Sequence, residues 1–129
     1  FDEMVFNIWP LADASGNTLA MMSNQADTRG VAIGYNVKQL PALSLWKNTD
    51  TEADGYVTGI EPGTGFPYNH TIENEAGRIM KIGPGETRSF DVEFRVLGSE
   101  ADVQKAVAEI NAIQAGGTVV LAPEPMAIE

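Results

Sequence analysis

The chain has 129 residues, with Lys+Arg 8 against Asp+Glu 18 and a net charge of -10, a size that suits one domain with one hydrophobic centre. Hydrophobic residues make up 43% and charged residues 20%, which excludes disorder and rod-like folds. The negative charge repels a phosphate backbone or an anionic lipid surface at long range, so nucleic acid is not an expected partner. Cys 0 leaves no disulfide framework, no thiolate zinc site and no cysteine nucleophile.

The longest apolar runs, Leu19 to Met22 and Val119 to Ala122, fall far short of the roughly 20 residues a membrane-spanning helix needs. No membrane partner is expected. The chain opens on Phe1-Asp2-Glu3-Met4, without a basic segment ahead of an apolar stretch, so no signal peptide is read and a cytoplasmic location is expected.

Taken in chain order, the first half is punctuated by Trp9-Pro10, Ser15-Gly16-Asn17, Arg29-Gly30, Leu40-Pro41, Asp54-Gly55 and Gly63-Thr64-Gly65. These turn signals separate short apolar segments, a spacing that favours strands. Met4 to Trp9, Thr18 to Met22, Val31 to Val37, Leu43 to Trp46, Tyr56 to Ile60, Arg78 to Ile82 and Thr87 to Leu97 have strand length and β-favouring content. In the last of these, Phe90, Val92, Phe94 and Val96 alternate with Asp91, Glu93 and Arg95. That pattern predicts one dry and one wet face, with the aromatic and valine stripe in the core. Gly83-Pro84-Gly85 precedes it as a turn, so Arg78 to Leu97 reads as a hairpin.

The pattern then changes. Ser99-Glu100-Ala101-Asp102 resembles a capping box, and Val103, Val107, Ile110 and Ile113 recur at helical spacing until Gly116-Gly117. A helix over 99–115 is predicted, followed by a candidate strand from Thr118 to Leu121 and a tail with Pro123, Glu124 and Pro125. The expected architecture is mainly β: an antiparallel β-sandwich, either a single domain over 1–129 or the C-terminal segment of a larger one, with one C-terminal α-helix.

No Walker loop, dinucleotide fingerprint, His-Glu-x-x-His or EF-hand loop occurs. His70 is the single histidine, so no multi-histidine metal centre can form within the chain, and no metal or cofactor is expected. In its polar setting His70 reads as an exposed loop residue. The informative stretch is Leu45-Trp46-Lys47-Asn48 followed by Tyr56 to Asn69. There an apolar strand delivers one carboxylate, Glu61, and the chain turns away through Pro62, Gly63 and Gly65. A carboxylate at the rim of an apolar strand loses part of its water, a condition suited to general-base work. The prolines and glycines fix a loop in which backbone, Phe66 and Tyr68 can approach a ligand. The alternative is a solvated strand-end glutamate before a turn, and the pattern alone does not decide between them.

Leu45-Trp46-Lys47-Asn48, the run Tyr56-Val-Thr-Gly-Ile-Glu-Pro-Gly-Thr-Gly-Phe-Pro67, Glu75-Ala-Gly-Arg78 and Ile82-Gly-Pro-Gly-Glu86 resemble the C-terminal part of an uncharacterised, domain-of-unknown-function bacterial branch of the aldose 1-epimerase (galactose mutarotase-like) superfamily. The resemblance covers most of residues 1–97. It implies part of a large antiparallel supersandwich, with Glu61 at the position of the catalytic base and Phe66-Pro67 at that of a Phe-Pro pair. The implied reaction interconverts sugar anomers: a base takes the anomeric hydroxyl proton while an acid protonates the ring oxygen, and reclosure reverses the roles. The family's acid is a histidine well before the glutamate, and no histidine precedes Glu61 here. The Pro62-Gly63-Thr64-Gly65 spacer also departs from the Glu-Thr-Gln pattern of the best-known mutarotases.

Candidate substrate contacts are Trp46, whose indole suits the apolar face of a pyranose, with Lys47 and Asn48 as polar contacts, Phe66 in the loop, and Arg78 as a hydroxyl clamp. Strand alternation allows only one of Trp46 and Lys47 to face a ligand. Core packing is an equal reading for Trp46, and a solvated strand end is at least an equal one for Arg78. The expected partner is a small-molecule sugar. An N-terminal segment or second chain is expected to complete the fold and supply the acid. A non-catalytic carbohydrate-binding or structural module stands as the alternative.

Overall fold

A computed structural model describes residues 3–48 and 50–122. The elements in chain order are β1 (Met4–Ile8), β2 (Asn17–Ser23), β3 (Gly30–Asn36), β4 (Ala42–Lys47), β5 (Thr58–Gly63), α1 (His70–Glu75), β6 (Val92–Leu97) and α2 (Glu100–Gln114). The strands form two antiparallel three-stranded sheets, ordered β1-β4-β5 and β2-β3-β6. Each sheet belongs to its own compact unit, the first with α1 and the second with α2. The chain is thus mainly β with one main helix near its C-terminal end. The expected tail with Pro123, Glu124 and Pro125 lies outside the described residues.

In the second unit, period-2 alternation places Leu19 and Met21 of β2, Ala32 of β3 and Leu97 of β6 on one sheet face. That face is covered by Val103 and Ala106 of α2, with Val107, Ile110 and Ile113 packed around them. This is the helical stripe seen in the sequence, buried as amphipathic spacing requires. The helix starts at Ser99, whose Oγ accepts from the Asp102 amide at 3.2 Å. The same hydroxyl donates to the Asp102 carboxylate at 2.7 Å, so Asp102 steadies the cap through the hydroxyl. From β6, Arg95 donates to Glu93 at 2.8 Å and to Glu109 of α2 at 2.7 Å, tying the helix to the sheet.

Three sequence expectations need correction. The hairpin over Arg78 to Leu97 is absent: residues 78–91 form no strand, and β6 pairs with β3 instead. The Gly83-Pro84-Gly85 turn does form, closed by the Glu86 amide on the Gly83 carbonyl at 3.0 Å. Its first arm, however, starts at Arg78, which is anchored to Glu73, while β6 finds a full register on β3. The Phe90, Val92, Phe94 and Val96 stripe is not core, because α2 docks on the opposite face, among Arg95 and Leu97. Phe94 and Val96 are 78% and 85% exposed. Thr118 to Leu121 also form no strand.

Val103 is the largest fully buried side chain among the described residues. Val103→Ala is expected to lower stability by about 2 kcal/mol through the lost methyls and the remaining void. Ser99→Ala is expected to cost about 1 kcal/mol through the uncapped helix start. Urea denaturation monitored by circular dichroism measures both.

Candidate functional site

The β1-β4-β5 register decides which side chains share a face. Asn7 pairs with Ser44 and Ser44 with Glu61, while Val5 pairs with Trp46 and Trp46 with Gly59. Directly opposed residues project to the same side, and residues two apart along a strand do too. Glu61, Ser44, Asn7 and Trp46 therefore share one face. Lys47 lies on the other, its Nζ 5.4 Å from the centre of the Phe6 ring. Asn48 lies past the strand end, where its Oδ1 accepts from the Asp50 amide at 2.7 Å.

Glu61 is an interior residue of β5, since that strand runs on through Pro62 to Gly63, three residues beyond the expected end. Its side chain is exposed. The carboxylate folds back over Gly59, where a side chain would collide with it. Beside it runs a hydrogen-bonded polar row. Ser44 Oγ donates to Asn7 Oδ1 at 3.3 Å, and Asn7 Nδ2 donates to Tyr68 Oη at 2.8 Å. Two opposite roles at the two ends of one amide fix its orientation.

Tyr68 belongs to the loop that follows β5. Its neighbour Phe66 is buried, 4.6 Å centre to centre from Trp9 and 6.5 Å from Tyr68 in an edge-on arrangement. The loop is held by Glu73, whose Oε2 accepts from the Phe66 amide at 3.1 Å. Gly65 approaches the same carboxylate so closely that a Cβ there would sit 2.7 Å from Oε2. Arg78 closes the cluster. Its Nε lies 3.0 and 2.9 Å from the two Glu73 oxygens, and its Nη2 lies 2.6 Å from Oε1. Its guanidinium also stands 5.5 Å from the Phe66 ring centre. Glu73 and Arg78 are both buried.

The backbone explains how Arg78 returns to Glu73. At the end of α1, Gly77 takes φ +70°, its amide bonds the Asn74 carbonyl, and the Arg78 amide bonds the Glu73 carbonyl at 2.9 Å. This is a Schellman ending, for which glycine is the favoured residue. At the other end Asn69 caps the helix, its Oδ1 accepting from the Ile72 amide at 3.0 Å. His70 is the exposed first residue of α1, where the sequence suggests a loop. Hydrogen bonds from Arg78 hold the Glu73 carboxyl below the usual carboxylate range, against the opposing effect of burial, and Glu73 raises Arg78 in turn.

An open cleft of about 510 Å³ lies between Trp9, Pro41, Thr64 and residues 77–80. Glu61 is not among its lining residues. The expected site residues thus fall into separate settings: Glu61 with Trp46 on the sheet face, Phe66 with Arg78 at the Glu73 cluster, Lys47 on the opposite face and Asn48 in a turn. Sequence reasoning missed Trp9, Asn7, Ser44 and Glu73. Asn7 and Ser44 had a signal, each being the one hydrogen-bonding side chain between apolar neighbours in its strand. Among the described residues no group of three or more His, Asp or Glu is placed to hold a metal ion. No helix there is long and apolar enough to cross a membrane.

A family described as a domain of unknown function, DUF4432, matches residues 1–96. The chain belongs to that family. A crystal structure of a protein from Klebsiella pneumoniae subsp. pneumoniae MGH 78578, described as a putative aldose 1-epimerase, aligns with a TM-score of 0.92 and 46% sequence identity. The alignment covers 100% of this chain and 34% of the Klebsiella one, so the chain spans about a third of that protein's length. The fold is that of an aldose 1-epimerase-like protein. No curated protein matches.

Removing one partner of a buried ion pair strands the other charge. Glu73→Gln is expected to destabilise the protein by about 3 kcal/mol at neutral pH, read by urea denaturation. Because the folded state holds Glu73 below its ordinary value, its contribution is fully present above about pH 4.5 and is lost as pH falls through the folded value. Glu73→Gln should therefore flatten the acid side of the stability–pH curve.

Proposed function

We propose that the chain is the part of an aldose 1-epimerase-like, carbohydrate-active protein that supplies the general base, Glu61, for interconverting sugar anomers. The observation that carries this reading is the shared face: Glu61 lies beside Trp46 and next to the ordered Asn7–Ser44 row. An indole suits the apolar face of a pyranose, and fixed amide and hydroxyl groups suit its hydroxyls. The resemblance around Glu61 and the description of the Klebsiella protein support the same chemistry.

In this reading Glu61 takes the anomeric hydroxyl proton as the ring opens and returns it on reclosure. The acid that protonates the ring oxygen is a histidine contributed by polypeptide outside this chain, completing the site together with the neutral sugar. Trp46 forms the wall. Phe66 and Arg78 act through the loop they anchor, and Lys47 and Asn48 through the end of β4. A second reading, a sugar-binding module whose Glu61 only accepts from hydroxyls, is favoured by the exposure of Glu61 and its absence from the lining of the cleft.

Anomer exchange on common aldoses by the chain together with the histidine-bearing polypeptide, followed by polarimetry or by NMR exchange spectroscopy, separates the two. Glu61→Gln is expected to lower the catalysed rate at least about 100-fold while sugar binding, measured by NMR titration, persists. Unchanged exchange in the variant removes the catalytic assignment. Binding without exchange when the histidine-bearing polypeptide is also present favours the module.

A further inference from the structure

The Glu73–Arg78 pair leaves one guanidinium nitrogen unused. Nε and Nη2 are taken by the Glu73 oxygens, while Nη1 donates to no group among the described residues. The Arg78 side chain is only 2% exposed, so bulk water reaches little of it. Among the described residues Tyr35 Oη is the one polar side-chain atom fully enclosed without a partner; Nη1 therefore keeps an accessible side. The opening that Arg78 lines is the cleft of about 510 Å³ in the first unit, and no other lining residue is charged. A charged N–H withdrawn from water and left without an acceptor is costly. A ligand oxygen placed there removes that cost.

The rest of the wall decides what carries the oxygen. Trp9, Pro41, Ile79 and Met80 are apolar, and Thr64 adds a single hydroxyl. Trp9 rests on Phe66, 4.6 Å centre to centre, so its ring is positioned before a ligand arrives. A hydroxyl-rich sugar would turn most of its hydroxyls towards carbon here. An anion is disfavoured too, because Glu73 already neutralises Arg78 and the chain carries a net charge of -10. We propose that this cleft binds an uncharged molecule with a flat apolar body and a carbonyl oxygen, such as an aryl ketone, ester or amide. The carbonyl accepts from Arg78 Nη1 and the body lies against the Trp9 indole. Glu61 does not line the cleft, so the site is independent of the Glu61 reading and its test needs no activity.

The test is titration of the chain with acetophenone and with ethylbenzene, a pair that differs in the carbonyl. Binding is read by proton–nitrogen correlation NMR at the Trp9 indole and the Thr64 amide. Acetophenone is expected to bind about tenfold tighter, the worth of one hydrogen bond from a charged donor. Both should shift the Trp9 indole and leave that of Trp46 unmoved. Arg78→Lys keeps a cation for Glu73 but has no Nη1, and should erase the advantage of acetophenone while leaving ethylbenzene binding unchanged. Met80→Trp, at a position 36% exposed, fills the cleft and should weaken both ligands at least about tenfold. It supplies the readout, together with the wild-type pair, if Arg78→Lys fails to fold. The proposal is overturned if ethylbenzene binds as tightly as acetophenone, or if benzoate or glucose displaces acetophenone at equal concentration. Shifts confined to Trp46, acetophenone binding that survives Met80→Trp, or no binding by the wild-type chain would overturn it equally.

Discussion

The Glu73 carboxylate is the fixed point of the first unit. Segment 64–68 has no strand or helix to satisfy its backbone, and it carries both Phe66 and Tyr68. One carboxylate accepts from the Phe66 amide and from the Arg78 guanidinium, and Gly65 is there because nothing larger fits against it. An unpaired carboxylate in this buried place is costly, and so is an unpaired guanidinium. The short helix α1 solves both, because its Schellman ending turns the chain so that Arg78 folds back over its own first-turn glutamate. From this anchor the order passes outward: Phe66 rests on Trp9, Tyr68 meets Asn7, and Asn7 orients Ser44 beside Glu61.

The second unit is governed by a choice of face. An alternating strand has two sides of different polarity, and polarity alone suggests that the apolar side is buried within the same domain. Here α2 selects the other side, where small Ala32 and the leucines Leu19 and Leu97 leave room for a helix to approach. Arg95 is tolerated on that side because its long stem packs while its head reaches Glu93 and Glu109 at the rim. The bulky stripe is left on the side away from the helix.

Much of this was legible in the sequence. Turn residues bracket β1 to β4 within a residue or two, because each strand there is a short apolar run closed by proline, glycine or asparagine. Ser99 and the valine–isoleucine spacing place α2 for the same local reason. The opposed faces of Trp46 and Lys47 were legible through alternation. What was not legible was long-range. Arg78 has strand-like neighbours, yet Glu73 captures it across α1, and no local propensity encodes an ion pair five residues apart. Phe90 to Val96 show their alternation plainly, but alternation does not say which face the helix takes. α1 was hidden because its six residues are too few for a periodicity.

The Gly59-Ile60-Glu61-Pro62-Gly63 strand is better understood as a device for access than as a turn. β5 is an edge strand of its sheet, and Pro62 sits within it, in register with Leu43 of β4. Proline lacks the amide proton that a further strand would need, so it blunts an edge without breaking the pairing on the inner side. Gly59, two residues before Glu61, leaves the space into which the carboxylate lies. Among the described residues the strand is the last in its sheet, and it carries a carboxylate over a bare stretch of backbone.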